Sequence, residues 1–174
     1  MSALPQPSQT ETRLTAMLRS AFKGPVGAAL VADDTIEILA NPDGSVWIGK
    51  PYPMPGSLVR LHPGDNPPET CMAEVYFPPM DRGAFGPRGM DIDRNGVVWT
   101  ALGSSGHFAS FDRSKCATLN GPTATGNHCP EGWELYTMPG PQLGGVDAPG
   151  SAAFSYYNWV DQFDTFGLGA NTPI

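Results

Sequence analysis

The sequence predicts an all-β fold made of four-stranded units that repeat along the chain. Short runs of alternating apolar residues recur from about residue 28 onward, which is the period of a half-buried strand. Gly (21) and Pro (19) are frequent and stand between these runs, where they favour turns. The order of strands and turns then repeats after roughly 50 residues. A four-strand unit at this spacing is typical of a β-propeller blade.

The first 27 residues differ from the rest of the chain. Residues 1–9 are rich in Pro and Ser and predict a loose tail. Leu14, Leu18 and Phe22 then follow one another at helical spacing before Gly24-Pro25, which predicts a short amphipathic N-terminal helix. The sequence therefore divides into a tail and helix over residues 1–27 and an incomplete β-propeller over residues 28–174.

Blade one is expected over about residues 33–80. NPDG (41–44) favours a type I turn followed by a left-handed glycine, with a strand on either side. SLVRLHP (57–63) and AEVYFPP (73–79) supply a third and a fourth strand, and Pro ends the fourth.

Blade two is expected over about residues 86–141. NGVVWTA (95–101) matches DGSVWIG (43–49), and WELYTMP (133–139) matches AEVYFPP at Glu, Tyr and the final Pro. Trp47 and Trp99 share one strand position, so each is expected to fill the gap between blades.

About residues 151–174 open a third blade without completing it. A propeller needs more blades than this to close its ring, which predicts either a fragment of a longer protein or a ring completed by other copies.

The stretch GMDIDRNGVVWT (89–100) allows two interpretations. Asp91, Asp93 and Asn95 have the spacing of the first half of a calcium-binding loop. An EF-hand loop requires a bidentate Glu at its twelfth position, where this chain has Leu102. The residues that follow are strand-like, so the sequence favours a β-hairpin over a metal site.

The chain contains three cysteines. Cys116 and Cys129 bracket an insertion (114–131) that predicts a local disulfide. A zinc site with His128 and two free thiols remain as alternatives. Cys71 either stays free or pairs outside this chain.

Charge and hydropathy exclude some partners. The net charge is −7 and the sequence pI is about 4.7, which disfavours nucleic acid and anionic membrane surfaces. No apolar run reaches the length of a membrane span. The opening residues lack the basic and apolar regions of a secretory signal.

The candidate binding residues fall in loops that a propeller places at one end of its ring. GSSGHF (103–108) does not satisfy the nucleophile-elbow motif, and the histidine within it is expected to be exposed in a loop. No catalytic position is assigned. The candidate residues for binding a ligand at this end are Lys50, Tyr52, Asp81, Arg82, Arg88, His107, Tyr156 and Tyr157.

PRGMDIDRNGVVWTA (87–101), with FASFDR and a closing strand that ends in Pro, resembles the repeat of streptogramin lyase (virginiamycin B lyase)-like propellers. These are similar to NHL and SMP-30 propellers. Pro87, Gly89, Gly96 and Trp99 fit the pattern in blade two, and Gly44, Val46 and Trp47 repeat part of it in blade one. Because these are turn and packing residues, the resemblance implies a fold more than a function.

The leading prediction for the function is a ligand- or protein-binding propeller fragment of an exported bacterial protein. The alternative is a metal-dependent lyase, or a lactonase like the SMP-30 proteins, whose His and Glu residues this stretch does not carry. No cofactor is evident, and a divalent metal is expected only in a complete propeller. Expected partners are a small-molecule or peptide ligand and further blades or copies, and a disulfide would agree with a periplasmic or extracellular location.

Overall fold

The computed structural model describes residues 37–41, 43–67, 69–141 and 155–174. Within them the chain is all-β and forms two four-stranded antiparallel sheets and one two-stranded pair. In both larger sheets every strand pairs with its neighbour in sequence, as the repeated four-strand pattern predicts. The predicted N-terminal helix lies outside the described residues. In the described part of the chain, no helix is long and apolar enough to cross a membrane.

The strands follow the predicted order. The first sheet contains β1 (Glu37–Ala40), β2 (Val46–Lys50), β3 (Ser57–His62) and β4 (Met72–Tyr76). The second sheet contains β5 (Pro87–Ile92), β6 (Val98–Leu102), β7 (His107–Phe111) and β8 (Trp133–Thr137). The pair that follows contains β9 (Val160–Asp161) and β10 (Thr172–Pro173). Single turns of 3₁₀ helix cover Met80–Arg82, Arg113–Lys115 and Pro130–Gly132.

The stretch with the spacing of a calcium loop forms the hairpin between β5 and β6. Asp93 Oδ1 accepts the backbone N–H groups of Asn95 and Val97 at 2.8 and 3.0 Å. Gly96 has a φ of 83°, in the left-handed region that this turn requires. Asp91 Oδ2 accepts the N–H of Val160 at 2.8 Å. The hairpin prediction is confirmed, and both carboxylates serve to hold backbone.

The main core lies between the two large sheets. On the first sheet, Trp47 pairs with Arg60 and Arg60 with Glu74, so these side chains share one face, here called the Trp47 face. On the second sheet, Phe111 pairs with Val98 and with Trp133, which defines the Phe111 face. The buried residues of these two faces form one continuous apolar cluster.

Aromatic rings fill the centre of this cluster. The ring of Phe111 lies 4.6 Å from that of Tyr76, 4.9 Å from that of Trp133 and 6.1 Å from that of Trp47. Trp47 therefore fills the gap between the sheets, as expected. Its counterpart Trp99 lies on the opposite side of the second sheet, here called the Trp99 face.

A buried ion network crosses from one sheet to the other. Arg113, just after β7, donates from Nε and Nη2 to the two carboxylate oxygens of Glu74, each at 2.6 Å. Tyr76 donates its hydroxyl to Glu74 Oε2 at 2.8 Å. Arg60 lies 3.6 Å from the same oxygen and donates to Asp43 Oδ2 at 2.9 Å. The network ties β3, β4 and the residues after β7 into one unit.

The insertion between β7 and β8 reaches back to the first sheet. Cys116 and Cys129 form a disulfide at its base, which confirms the favoured pairing over zinc and free thiols. At its tip Gly126 accepts the N–H of Phe77 at 2.9 Å, and a side chain at Gly126 would collide with the Phe77 ring. Cys71 is free and half-buried, and burial raises the pKa of its thiol.

Removing the Cys116–Cys129 disulfide should lower the free energy of unfolding by about 2 to 3 kcal/mol, because the bond restricts the unfolded chain over a loop of this length. Urea denaturation of the wild type and of a Cys116→Ser/Cys129→Ser double variant measures the loss. Reducing agent should destabilise the wild type by the same amount and leave the double variant unchanged. A further loss in the reduced double variant would contradict this assignment.

Candidate functional site

The strand order places all eight candidate binding residues at one end of the sheets. In an antiparallel meander, the second strand ends where the connection to the next sheet begins. This end therefore carries the β2–β3 loop, the β4–β5 connection, the β6–β7 loop and the segment before β9. We call it the loop end. The tight turns and the insertion leave the sheets at the opposite end, the turn end.

Arg88, Tyr156 and Tyr157 meet at the loop end. The guanidinium carbon of Arg88 lies 3.9 Å from the centroid of the Tyr156 ring, a distance at which the cation is attracted to the ring face. The two tyrosine rings are 4.9 Å apart in an edge-to-face arrangement, and both are exposed. Arg88 Nε is buried without a hydrogen-bond partner in the described part of the chain.

Gly89 permits this arrangement. A Cβ at Gly89 would lie 2.5 Å from Cα of Tyr157 and 2.6 Å from the carbonyl oxygen of Tyr156. Any side chain there would displace the tyrosine pair from β5, since real Cβ contacts are longer than this. Gly89, which with Pro87 fits the repeat pattern of blade two, therefore has a positional role at the site as well as a role in the strand.

His107 and Arg82 form a separate group. His107 is the first residue of β7 and is buried, so the expectation of an exposed loop histidine is wrong. Strand β7 begins directly after the polar turn of residues 103–106. His107 pairs with Leu102 in β6, and this register places its side chain on the Phe111 face. Burial lowers the pKa of His107, and the charge of Arg82 lowers it further. Arg82 donates to the carbonyl of Trp133 at 3.4 Å.

The other three candidates, Lys50, Tyr52 and Asp81, lie at the same end by the strand order. Lys50 ends β2 and is half-buried, whereas Tyr52 and Asp81 are exposed. Asp81 lines an open groove of about 480 Å³ between the loop end and the insertion. That volume lies within the range of small-molecule pockets. The remaining lining residues of the groove are Pro55, Phe77, Pro79, Met80, Asn127 and Pro130.

Among the described loop-end residues, cationic side chains outnumber carboxylates. Over the described loop-end residues, the cations are Lys50, Arg82 and Arg88, and Asp81 is the single carboxylate. The chain as a whole has a net charge of −7. The Arg88 guanidinium beside the rings of Tyr156 and Tyr157 favours an anionic ligand.

No group of three or more His, Cys, Asp or Glu side chains that could hold a metal ion occurs among residues 37–41, 43–67, 69–141 and 155–174.

Sequence reasoning placed the eight candidates at one end but did not find which of them meet. The available signal in the sequence was Gly89 itself. A glycine inside a strand often marks a place where another backbone segment approaches closely.

Comparison of the chain with models of protein families, with curated proteins and with solved structures found no match. The resemblance to streptogramin lyase-like, NHL and SMP-30 propellers therefore stays a prediction from the motifs of the chain.

Proposed function

We propose that the chain is a ligand-binding module built from β-propeller blades, and that its loop end binds a small molecule or peptide that carries a carboxylate. The observation that carries the proposal is the Arg88 site. A half-buried guanidinium is stacked on Tyr156, and its Nε hydrogen lacks a protein acceptor in the described residues. A buried N–H without an acceptor is costly. A ligand oxygen would satisfy it on entering beside Arg88, which requires the exposed Tyr156 side chain to move aside.

A carboxylate is the ligand group that fits Arg88 best. The planar guanidinium forms paired hydrogen bonds with carboxylates, and its positive charge favours a negatively charged ligand. The exposed rings of Tyr156 and Tyr157 offer stacking surface for an aromatic or planar part of the same ligand. The proposed ligand therefore combines a carboxylate with an aromatic group.

The propeller assignment rests on the two meander sheets. They repeat the same strand order and pack face to face, as successive blades do. Further blades or other copies would complete the ring. The disulfide between Cys116 and Cys129 supports an exported protein in an oxidising compartment, periplasmic or extracellular.

A matched pair of simple ligands tests the site. N-acetyl-phenylalanine carries the carboxylate and the ring, and N-acetyl-phenylalanine amide carries only the ring. In an NMR titration of the ¹⁵N-labelled chain, the acid should shift the amide signals of Arg88, Gly89 and Gly103, the last of which lies beside the Arg88 side chain. The acid should bind about tenfold more tightly than the amide, since a charge-assisted bond contributes about that factor.

Arg88→Met should abolish the preference for the acid. Arg94→Met is the matched control, because Arg94 also lies over an aromatic ring, that of Phe163 at 5.2 Å, but sits in the β5–β6 turn at the turn end. Equal binding of acid and amide by the wild type, or an unchanged preference in Arg88→Met, would reject the proposed site.

The metal-dependent lyase or lactonase stays a prediction from the resemblance. No contact among the described residues favours it over the binding module.

A further inference from the structure

The dipeptide Asn-Gly occurs twice in the chain, at Asn95-Gly96 in the β5–β6 turn and at Asn120-Gly121 in the insertion. Asparagine followed by glycine is the sequence most prone to spontaneous deamidation. The backbone nitrogen of the glycine attacks the side-chain carbonyl carbon of the asparagine, and a glycine has no Cβ to hinder that approach. The two pairs therefore carry the same intrinsic reactivity, and the fold decides how much of it each expresses.

Solvent access and crowding do not separate the two pairs. Both asparagines are exposed. Gly96 and Gly121 both have positive φ, 83° and 96°, and a Cβ built on either glycine would meet no atom within 4 Å. The difference between the pairs lies in their hydrogen bonds.

Hydrogen bonds hold the reacting atoms at Asn95-Gly96. Gly96 donates its N–H to the carbonyl of Asp93 at 3.0 Å. The carboxylate of Asp93 accepts the N–H of Asn95 at 2.8 Å. The nitrogen that would attack is already bonded, so the turn has to open before the reaction can start.

The corresponding turn of the first sheet is held in the same way. It contains Asp43-Gly44, which can form the same ring by loss of water. Gly44 donates its N–H to the carbonyl of Asn41 at 2.9 Å. Burial raises the pKa of Asp43, but hydrogen bonds from Ser45 and Arg60 outweigh burial and lower this pKa to about 2. The side chain is therefore ionised at neutral pH, and a carboxylate is a poor target for attack.

The pair in the insertion has no such restraint. Among the described residues, neither the N–H of Gly121 nor the side chain of Asn120 forms a hydrogen bond. The hydrogen bond made here uses the carbonyl of Gly121, which accepts the N–H of Ala124 at 3.0 Å. An exposed side chain without partners contributes little to stability, so a chain modified at Asn120 should stay folded and accumulate.

We propose that Asn120 is a site of spontaneous deamidation, at which the folded chain gains a negative charge with time. The nitrogen of Gly121 bonds to Cγ of Asn120, the Cγ–Nδ2 bond breaks, and Nδ2 leaves as ammonia with the proton of Gly121. Water then opens the resulting succinimide at either carbonyl carbon and gives aspartate or isoaspartate. Water is the co-reactant, and no oxidant or reductant takes part. The inference does not depend on the ligand of the Arg88 site.

Peptide mapping of aged protein tests the proposal. The full chain is incubated at neutral pH, and samples are reduced and digested with pepsin at acidic pH, where succinimide formation is slow. Tandem mass spectrometry then locates the gain in mass, which equals the difference between water and ammonia. Asn120 should react at least about tenfold faster than Asn95, because opening the turn and breaking its hydrogen bonds cost at least that factor at Asn95.

The same chain in urea controls for sequence. Without the fold, Asn95 and Asn120 should react at similar rates. Asp93→Ala removes a hydrogen-bond acceptor from the β5–β6 turn and should speed the reaction at Asn95 while leaving Asn120 unchanged. Asn120→Gln should remove the acidic band that appears with time when the wild type is analysed by isoelectric focusing.

Either of two results with the wild-type chain would overturn the proposal. The first is an equal rate at Asn95 and Asn120 in the folded chain. The second is a rate at Asn120 in the folded chain about tenfold or more below its rate in urea, which would show that the fold holds the N–H of Gly121.

Discussion

Replacing Glu74 with Gln should lower the free energy of unfolding by about 3 to 5 kcal/mol, the cost of breaking a buried ion pair from one side. The substitution keeps the shape of the side chain and removes its charge. Arg113 then loses the partner of both its short hydrogen bonds, and Arg60 loses a neighbouring carboxylate. Urea denaturation followed by circular dichroism measures the loss, as a lower midpoint with an unchanged slope.

Glu134→Gln is the matched control, since Glu134 occupies the same register position in the second sheet and is exposed. Its effect should stay within about 0.5 kcal/mol. A similar loss in both variants would show that the burial of Glu74 is not what makes its charge important.

The same pair gives a pH dependence with a definite sign. Burial raises the pKa of Glu74, but the hydrogen bonds and charges of Arg113, Tyr76 and Arg60 outweigh burial and lower it below its ordinary value of 4.5. This stabilisation is therefore fully present above about pH 4.5 and is lost as the pH falls through the lowered pKa. The difference in stability between wild type and Glu74→Gln should therefore stay constant from about pH 7 to about pH 4.5 and shrink as the pH falls further.

Phe111→Ala should destabilise the chain by about 3 to 5 kcal/mol, as expected for removal of a fully buried aromatic ring. Phe111 is 0% exposed and its ring touches aromatic residues of both sheets. The cavity would therefore open between the sheets. Urea denaturation measures the loss.

Phe108→Ala controls for the Phe111 substitution, because Phe108 lies on the same strand but points to the other face and is half-buried. Its loss should be about 1 to 2 kcal/mol. Equal losses at the two positions would contradict an inter-sheet core centred on Phe111.

The strand order could be read from the sequence because its causes are local. Turn formation by NPDG and RNG depends on residues within four positions of each other, and alternation of apolar residues marks the strands between them. The disulfide was predictable for a similar reason, since both cysteines bracket one insertion.

The roles of individual charged residues depended on distant contacts. Glu74 is a polar residue in an alternating strand, which predicts exposure, and it is buried because Arg113 follows 39 residues later. The Arg88–Tyr156 contact joins positions separated by two turns and an insertion. His107 follows a polar turn, which favoured a loop, whereas cross-strand pairing with Leu102 placed it in β7.

The dependence of the first sheet on the second has a consequence for the nascent chain. Because the first sheet is a meander, its strand pairing can form as soon as Tyr76 leaves the ribosome. Of the described residues, those that cover its Trp47 face are complete only when β8 ends at Thr137, an interval of about 3 to 12 s at ordinary rates of synthesis. During that time an aromatic face that includes Glu74, which is buried in the folded chain, is open to other chains. Slow translation of residues 77–137 should therefore favour aggregation.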